Sequence, residues 1–348
     1  MILVPAHDEE TGIAETVTVL RAVIPPAVRI LVIADNCGDR TAEHARKAGA
    51  EVVERHDPDA RGKGFALAFG RDALAADPPQ VVLVIDADCR LQPGSCEALI
   101  EAVVRTGRPV QAHDVIQPDL TLQPLAQISG FAMLVKNVVR LRGLMRLGGF
   151  SLLCGTGMAF PWESFASARL ATGNVVEDLG LAVAMIGSGT RPMLIEDACV
   201  ISRAAAVADS VAQRSRWEHG FLQTALHHAL PELAGGIVSA NRARVALGLH
   251  LLVPPLALLI AVSGAALIVV GALSWLAGTW LPTGVLAGLL VLALLAVAGA
   301  WLREGRQTLQ AGALLRAPLY VAWKIPMYVR MLGRQTLSWN RTRREGGP

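Results

Sequence analysis

The sequence predicts an α/β domain with a mostly parallel, Rossmann-like sheet, followed by C-terminal transmembrane helices. Three observations predict it. Over residues 1–90 short apolar runs alternate with helix-period segments, carboxylates close two of those runs, and residues 245–302 hold no Asp, Glu, Lys or Arg. Strands that alternate with helices need crossover connections and therefore pair in parallel. An uncharged run of that length suits a bilayer.

Taken in order, Ile2 to Ala6 reads as a strand, and Ile13, Val17, Leu20 and Ile24 recur at helical spacing after a turn. Arg29 to Ala34 is a second strand, Asp39 or Thr41 can cap a short helix, and Glu51 to Glu54 is a third strand. A Gly/Asp/Pro-rich loop leads to a helix over Phe65 to Leu74, and Val81 to Ile85 is a fourth strand. In parallel sheets ligands bind beyond the carboxyl ends of the strands, where Asp35 and Asp86 fall. Further on, Val110 to Val115 and Met193 to Ile201 read as strands. Gly130 to Leu147 reads as one amphipathic helix, either solvated and packed on the core or lying on a membrane surface.

The tail divides into two spans, about Val245 to Leu273 with a kink at Pro254-Pro255, and Thr283 to Leu302. Arg242 and Arg244 precede the first and Arg303 and Arg306 follow the second, so the positive-inside rule puts both flanks in the cytosol. Gly312 to Leu332 is apolar but carries Arg316, Lys324 and Arg330, which fits an interfacial helix better than a third span. The expected organisation is a domain over 1–240, two membrane helices over 241–303, and an interfacial helix with a basic tail over 304–348. From Arg303 onward nine Lys/Arg face two Asp/Glu, which leaves 23 Lys/Arg against 27 Asp/Glu in residues 1–302. A basic end beside apolar spans suggests an anionic membrane face. Scattered cations without a binding motif argue against nucleic acid. The chain is 53% hydrophobic, its mean hydropathy is +0.44, and its five scattered cysteines form no CxxC, as expected of reduced thiols. It opens almost directly on a strand without a signal-peptide pattern. That reads as a domain on the cytosolic face of a bacterial inner membrane, or one whose upstream helix lies outside this sequence.

Five motifs carry chemistry. Asp86-Ala87-Asp88 closes an apolar strand, so one or both carboxylates can hold a divalent cation; hard oxygen ligands suit Mg²⁺ or Mn²⁺ against a diphosphate. Asp35-Asn36 closes another strand and either contacts a base or ribose or caps the next turn. Arg61-Gly62-Lys63-Gly64 is either a diphosphate cradle, with Lys63 as its cation, or an ordinary turn. Glu177-Asp178 opens a helix-like stretch: N-capping is one reading, and a general base that deprotonates an acceptor hydroxyl is the other. Gln213, Arg216, Trp217 and Gly220 fall on one helix face, where an amide, a guanidinium and an indole can hold phosphate and stack on a sugar.

In this order the DN, DAD, ED and QRSRW elements resemble the family 2 glycosyltransferases, especially the branch of cellulose, chitin and hyaluronan synthases. The resemblance covers about residues 2–222. The segment VPAHDEE, with Pro5, is similar to that family's opening strand and nucleotide-contacting loop, and Leu153 to Gly157 is similar to its acceptor-side loop. The resemblance implies a GT-A fold and inverting, metal-dependent transfer from a nucleotide-sugar such as a UDP-sugar. It implies donor contacts by Pro5, Asp35, Lys63, Asp86, Asp88, Gln213 and Arg216, and metal ligation by Asp86 and Asp88. Asp178 would be the catalytic base, with Gly155, Thr156, Glu177 and Trp217 on the acceptor side. Val176 stands where the family usually has Thr, and Asn36 where a second Asp is frequent.

The expected activity is growth of an exopolysaccharide or other cell-surface glycan at the inner membrane, alone or beside other polysaccharide-synthesis subunits. Two spans are few for a self-made polymer channel, which favours instead a single-sugar transfer to a lipid-linked acceptor. A non-catalytic subunit that binds a nucleotide-sugar or a partner enzyme is the reading of another class. It has no physical need to keep Asp86, Asp88, Asp178 and Arg216 together.

Overall fold

A computed structural model describes residues 1–172, 176–202 and 207–332, without side chains at 207–214 and 331–332. The chain forms two compact units. The first comprises Met1–Ile116 and Arg140–Leu252, and the second Gln117–Val139 and Val253–Leu337.

The first unit is built on an eight-stranded sheet. Its strands are β1 (Ile2–Ala6), β2 (Ile30–Asp35), β3 (Glu51–Arg55), β4 (Val81–Val84), β5 (Cys89–Leu91), β6 (Val110–Ile116), β7 (Met158–Pro161) and β8 (Met193–Ser202), in the order β3-β2-β1-β4-β7-β6-β8-β5. Pairs β1–β2, β2–β3, β1–β4 and β6–β8 are parallel, and β4–β7, β6–β7 and β5–β8 are antiparallel. The sheet is therefore mixed, with parallel pairs in the majority. Side chains alternate between two cores, as a two-residue period requires. Leu3, Leu31, Ile33, Val82 and Val84 face one core, and Ile2, Val4, Ile30, Val32, Val81 and Leu83 face the other. Both faces are covered, so β1, β2 and β4 read as nearly unbroken apolar runs.

Six of the strands fall where the sequence places them, within a residue or two. The three-residue β5 and the four-residue β7 are too short for a period to show, and only their partners fix them as strands. The Gly130–Leu147 reading is corrected: helix Pro124–Leu134 passes through a π-helical turn at Val135–Val139 into helix Arg140–Gly148. The run from Val245 is not continuous either. Helix Arg242–Leu252 ends before Pro254-Pro255, where proline removes a backbone donor, and a separate helix covers Leu256–Ala277.

Helix Arg242–Leu252 packs on the long helix Val207–Val238 through glycines. A Cβ at Gly248 would lie 2.6 Å from the Leu233 backbone nitrogen, and one at Gly236 would lie 2.5 Å from that of Val245. The Glu232–Arg244 ion pair, at 2.7 Å, bridges the same two helices.

In the second unit Leu256–Ala277 and Leu281–Gly305 are long and apolar enough to cross a membrane, and almost none of either is buried within the protein. A small core gathers Ile128, Phe131, Leu309, Tyr320 and Tyr328. Helix Ala317–Leu332 buries Lys324, its ammonium 5.1 Å from the Tyr320 ring centre, and exposes Leu319, Trp323, Ile325 and Val329.

Candidate active site

The site forms at the carboxyl ends of β1, β2 and β4 and at the start of two helices. Asp86 follows β4, and its backbone N–H donates to Thr156 Oγ at 3.1 Å. Thr156 belongs to the loop before β7, which is tied down twice. Gln111 reaches both ways, its amide donating to the Thr156 carbonyl and accepting from the Cys154 N–H, each at 2.8 Å. The Gly157 N–H donates to the Val84 carbonyl at 2.9 Å. The acceptor-side loop of the sequence reading is thus anchored to the strand that carries the DAD motif.

Lys63 opens helix Lys63–Leu74 and joins the two. Its ammonium pairs with Asp86 Oδ1 and donates to the Gly155 carbonyl at 2.7 Å. Burial alone would lower its pKa, but Asp86, Glu177 and Asp178 outweigh burial and raise it above the ordinary lysine value. Gly155 holds φ at +87°, and a Cβ there would come within 3.4 Å of Asp178 Oδ2 and 3.5 Å of Lys63 Nζ. That backbone conformation is the one that favours glycine.

Glu177 and Asp178 begin helix Glu177–Gly187, and Asp178 Oδ1 accepts the Leu179 N–H at 2.8 Å. Burial, reinforced by the adjacent Asp178 charge, pushes Glu177 up to about 7 against the opposing pull of Lys63. Their start is fixed by two close approaches. A Cβ on Gly64 would meet the Leu170 carbonyl oxygen at 2.2 Å, and one on Gly220 would meet Val176 Cγ2 at 2.2 Å. The second contact brings the QRSRW helix against the residue before Glu177. Trp217 is half-buried against the core that includes Val176 and Leu179, and burial lowers the half-buried Arg216 guanidinium below its ordinary value. The Gln213 side chain lies outside the described residues.

Asp86, Asp88 and Cys89 each offer a ligating atom within 4.8 Å of the others. Burial pushes the Cys89 thiol well above its ordinary range, and the two carboxylates supply hard oxygen donors. That donor set fits Mg²⁺ or Mn²⁺.

Asp35 ends β2 at the same edge of the sheet. Its carboxylate is buried and accepts from Arg55 at 2.7 Å and from Asn36 Nδ2 at 3.1 Å. Pro5 lies in β1 paired with Ile33. The sequence reading missed Arg55, although parallel register sets Asp35 opposite Arg55 and two strands ending in opposite charges were the available signal. It also missed Arg169, which lines a small cavity with Glu177, Asp178, Phe160 and Phe165; no spacing in the sequence links it to that pair.

A mixed α/β sheet with a carboxylate pair, a lysine and a second acidic pair gathered at its carboxyl edge offers oxygen donors for a divalent cation and a fixed positive charge for a phosphate. Over residues 1–165 the chain matches the family model for Glycosyl transferase family 2. The match ends before Glu177-Asp178 and QRSRW. Among curated proteins the chain is similar to glycosyltransferase Rv0539 of Mycobacterium tuberculosis and to Mb0553 of Mycobacterium bovis, each 34% identical over 99 residues. These alignments cover 28% of this chain and only 41% of each relative's length. The low-salt glycan biosynthesis hexosyltransferase Agl6 of Haloferax volcanii is 32% identical over 90 residues, 25% of this chain and 20% of Agl6. Among solved structures the chain is similar to the glucosyl-3-phosphoglycerate synthase of M. tuberculosis in complex with Mn²⁺, UDP and phosphoglyceric acid. The TM-score is 0.45 at 22% identity, covering 64% of this chain and 76% of that one.

Proposed function

We propose that this protein is a membrane-bound, inverting glycosyltransferase with a GT-A fold, of the cellulose, chitin and hyaluronan synthase-like branch. It moves a sugar from a nucleotide-sugar to a growing cell-surface glycan on the cytosolic face of a bacterial inner membrane. One observation carries the reading: Lys63 draws Asp86, Gly155 and the Glu177-Asp178 pair into a single cluster. Asp86 and Asp88 would hold Mg²⁺ or Mn²⁺, which when bound neutralises the charge of the diphosphate leaving group. Lys63 supplies a fixed cation beside them, and Arg216 and Gln213 a further donor contact. Asp178 accepts the proton of the acceptor hydroxyl as that oxygen attacks the anomeric carbon on the face opposite the diphosphate. Gly155 leaves space beside Asp178 for the acceptor, with Thr156, Glu177 and Trp217 on the same side. Asp35, held by Arg55, and Pro5 form the wall on which the nucleotide rests.

Single-sugar transfer to a lipid-linked acceptor is the second reading. The outward apolar face of helix Ala317–Leu332 favours it, because that face suits the interface where such an acceptor lies. Membranes containing the protein, supplied with a panel of nucleotide-sugars, test the proposal. Release of the nucleoside diphosphate from one donor, coupled to a glycan or lipid product, is expected. Absence of turnover with every donor, in a preparation that binds one of them, would leave a non-catalytic subunit.

A further inference from the structure

The second unit holds a groove of about 320 Å³ between the start of helix Pro124–Leu134 and the start of helix Ala317–Leu332. Gln123, Pro124, Leu125, Arg316, Leu319 and Trp323 line it. None of the six belongs to the candidate active site, and all lie in the unit that carries the two long apolar helices. A volume of that size is at the lower end of the range for small-ligand sites.

Both walls are fixed from behind. The buried Gln127 amide donates to the Leu120 and Leu122 carbonyls at 3.0 and 2.8 Å, and its oxygen accepts the Gln310 N–H at 3.0 Å. Gln310 Nε2 donates to the same Leu120 carbonyl at 3.0 Å. On the other side the Arg316 carbonyl accepts the Tyr320 N–H at 3.1 Å, and the Tyr320 ring, packed in the small core, stands 6.0 Å from that of Trp323. A groove held open in this way spares a ligand the cost of ordering it.

Its lining divides into two chemistries. Leu125, Leu319 and Trp323 form an apolar wall, with Leu319 66% and Trp323 41% exposed. Arg316 is the one charged residue of the lining, and among the described residues its guanidinium has no ion-pair partner. A guanidinium takes two phosphate oxygens at once. A headgroup amine would bring a second cation beside Arg316 and would find no carboxylate in the lining to receive it. Charge complementarity therefore selects a phosphate without an amine, and the indole beside it suits the boundary between headgroup and acyl chain.

We propose that this groove seats the headgroup of an anionic phospholipid, with its phosphate on Arg316 and its acyl chains leaving over Leu319 and Trp323. The inference rests on the membrane reading of this unit and is independent of the sugar transfer.

The test titrates the full-length protein, purified in detergent, with an equimolar mixture of phosphatidylglycerol and phosphatidylethanolamine, and counts lipid adducts by native mass spectrometry. The first adduct should favour phosphatidylglycerol by about the fivefold that one cation near an anionic lipid is worth. Arg316→Gln, at an exposed position, should bring the two lipids level. Arg330→Gln, in the same helix but outside the groove, should leave the preference intact. Trp323→Ala should weaken the first adduct of both lipids and keep their ratio. Equal binding of the two lipids by the unaltered protein, a preference that survives Arg316→Gln or is lost in Arg330→Gln, or a first adduct unmoved by Trp323→Ala would overturn the proposal. Alkaline washing of vesicles that contain the protein tells the two failures apart. A chain released by the wash overturns the membrane reading and this inference with it, whereas a retained chain without the preference overturns this inference alone.

Discussion

Replacing Gly64 by alanine adds one methyl group at the tightest backbone approach in the site. The new Cβ would stand 2.2 Å from the Leu170 carbonyl oxygen, and 3.3 Å from its carbon. Ordinary contact begins near 3.5 Å, so helix Lys63–Leu74 and the Leu170 backbone must separate by about 1 Å. The obstacle is main chain and cannot rotate away. Overpacking of this kind costs about 1–3 kcal/mol. The same helix start carries Lys63, and Glu177 Cβ lies 3.7 Å from the added atom, so the strain falls on the catalytic cluster as well. A displacement near 1 Å can cost about 10²-fold in rate. Gly70→Ala in the same helix supplies the control. Its Cβ would meet Ile33 Cδ1 at 2.6 Å, the movable end of a side chain on the core side. Thermal unfolding and initial transfer rates of both variants should show Gly64→Ala impaired in rate and stability, and Gly70→Ala in stability alone. Equal rate loss in the two, or wild-type behaviour of Gly64→Ala, would refute the argument that this contact sets the geometry of the site.

Asp178→Asn keeps shape and the Leu179 contact but cannot take a proton; transfer should fall by about 10²–10⁴-fold with donor affinity near wild type, measured by calorimetry. Lys63→Met should bind Mn²⁺ more tightly, because Asp86 loses a competing cation, yet turn over more slowly; Mn²⁺ titration beside a rate assay shows whether the two separate. Glu177 is protonated more readily in the fold than in an unfolded chain. Its share of stability is therefore fully present below about pH 4.5 and is lost as pH rises through about 7; Glu177→Gln should flatten the unfolding midpoint across that window. A thiol-reactive probe placed at Gly278, in the turn between the two apolar helices, should be labelled only from the side opposite Arg306, and labelling from both sides would count against a membrane-spanning pair.

Legibility followed the strength of local constraint. Strands β1, β2 and β4 are buried on both faces, and their unbroken apolar runs showed in composition alone. Asp86 and Asp88 were legible because a strand end fixes where a carboxylate points. Strands β5 and β7 exist because Val200 and Phe160 find partners across long sequence gaps, and no window of sequence contains both members. The Gly130–Leu147 pattern looked like one helix because a π-helical turn inserts a residue without disturbing polarity. Lys63 was legible as a cation beside glycines, but its bridge from Asp86 to Gly155 depends on where two distant loops meet. The pairing of Asp35 with Arg55 likewise needed the register of β2 on β3.

The glycine contacts between helices Val207–Val238 and Arg242–Leu252 bear on how this protein tolerates mutation. Gly236 is 19 residues beyond Trp217 in the same helix, about 28 Å at 1.5 Å per residue. The helix that carries Arg216 and Trp217 is thus held twice, beside the site where Gly220 meets Val176 and at a clamp remote from any reacting atom. A larger residue at Gly236 or Gly248 would push the two helices apart at main chain that cannot rotate away. In a survey of random variants scored only by product formed, these glycines would be as intolerant as the carboxylates themselves.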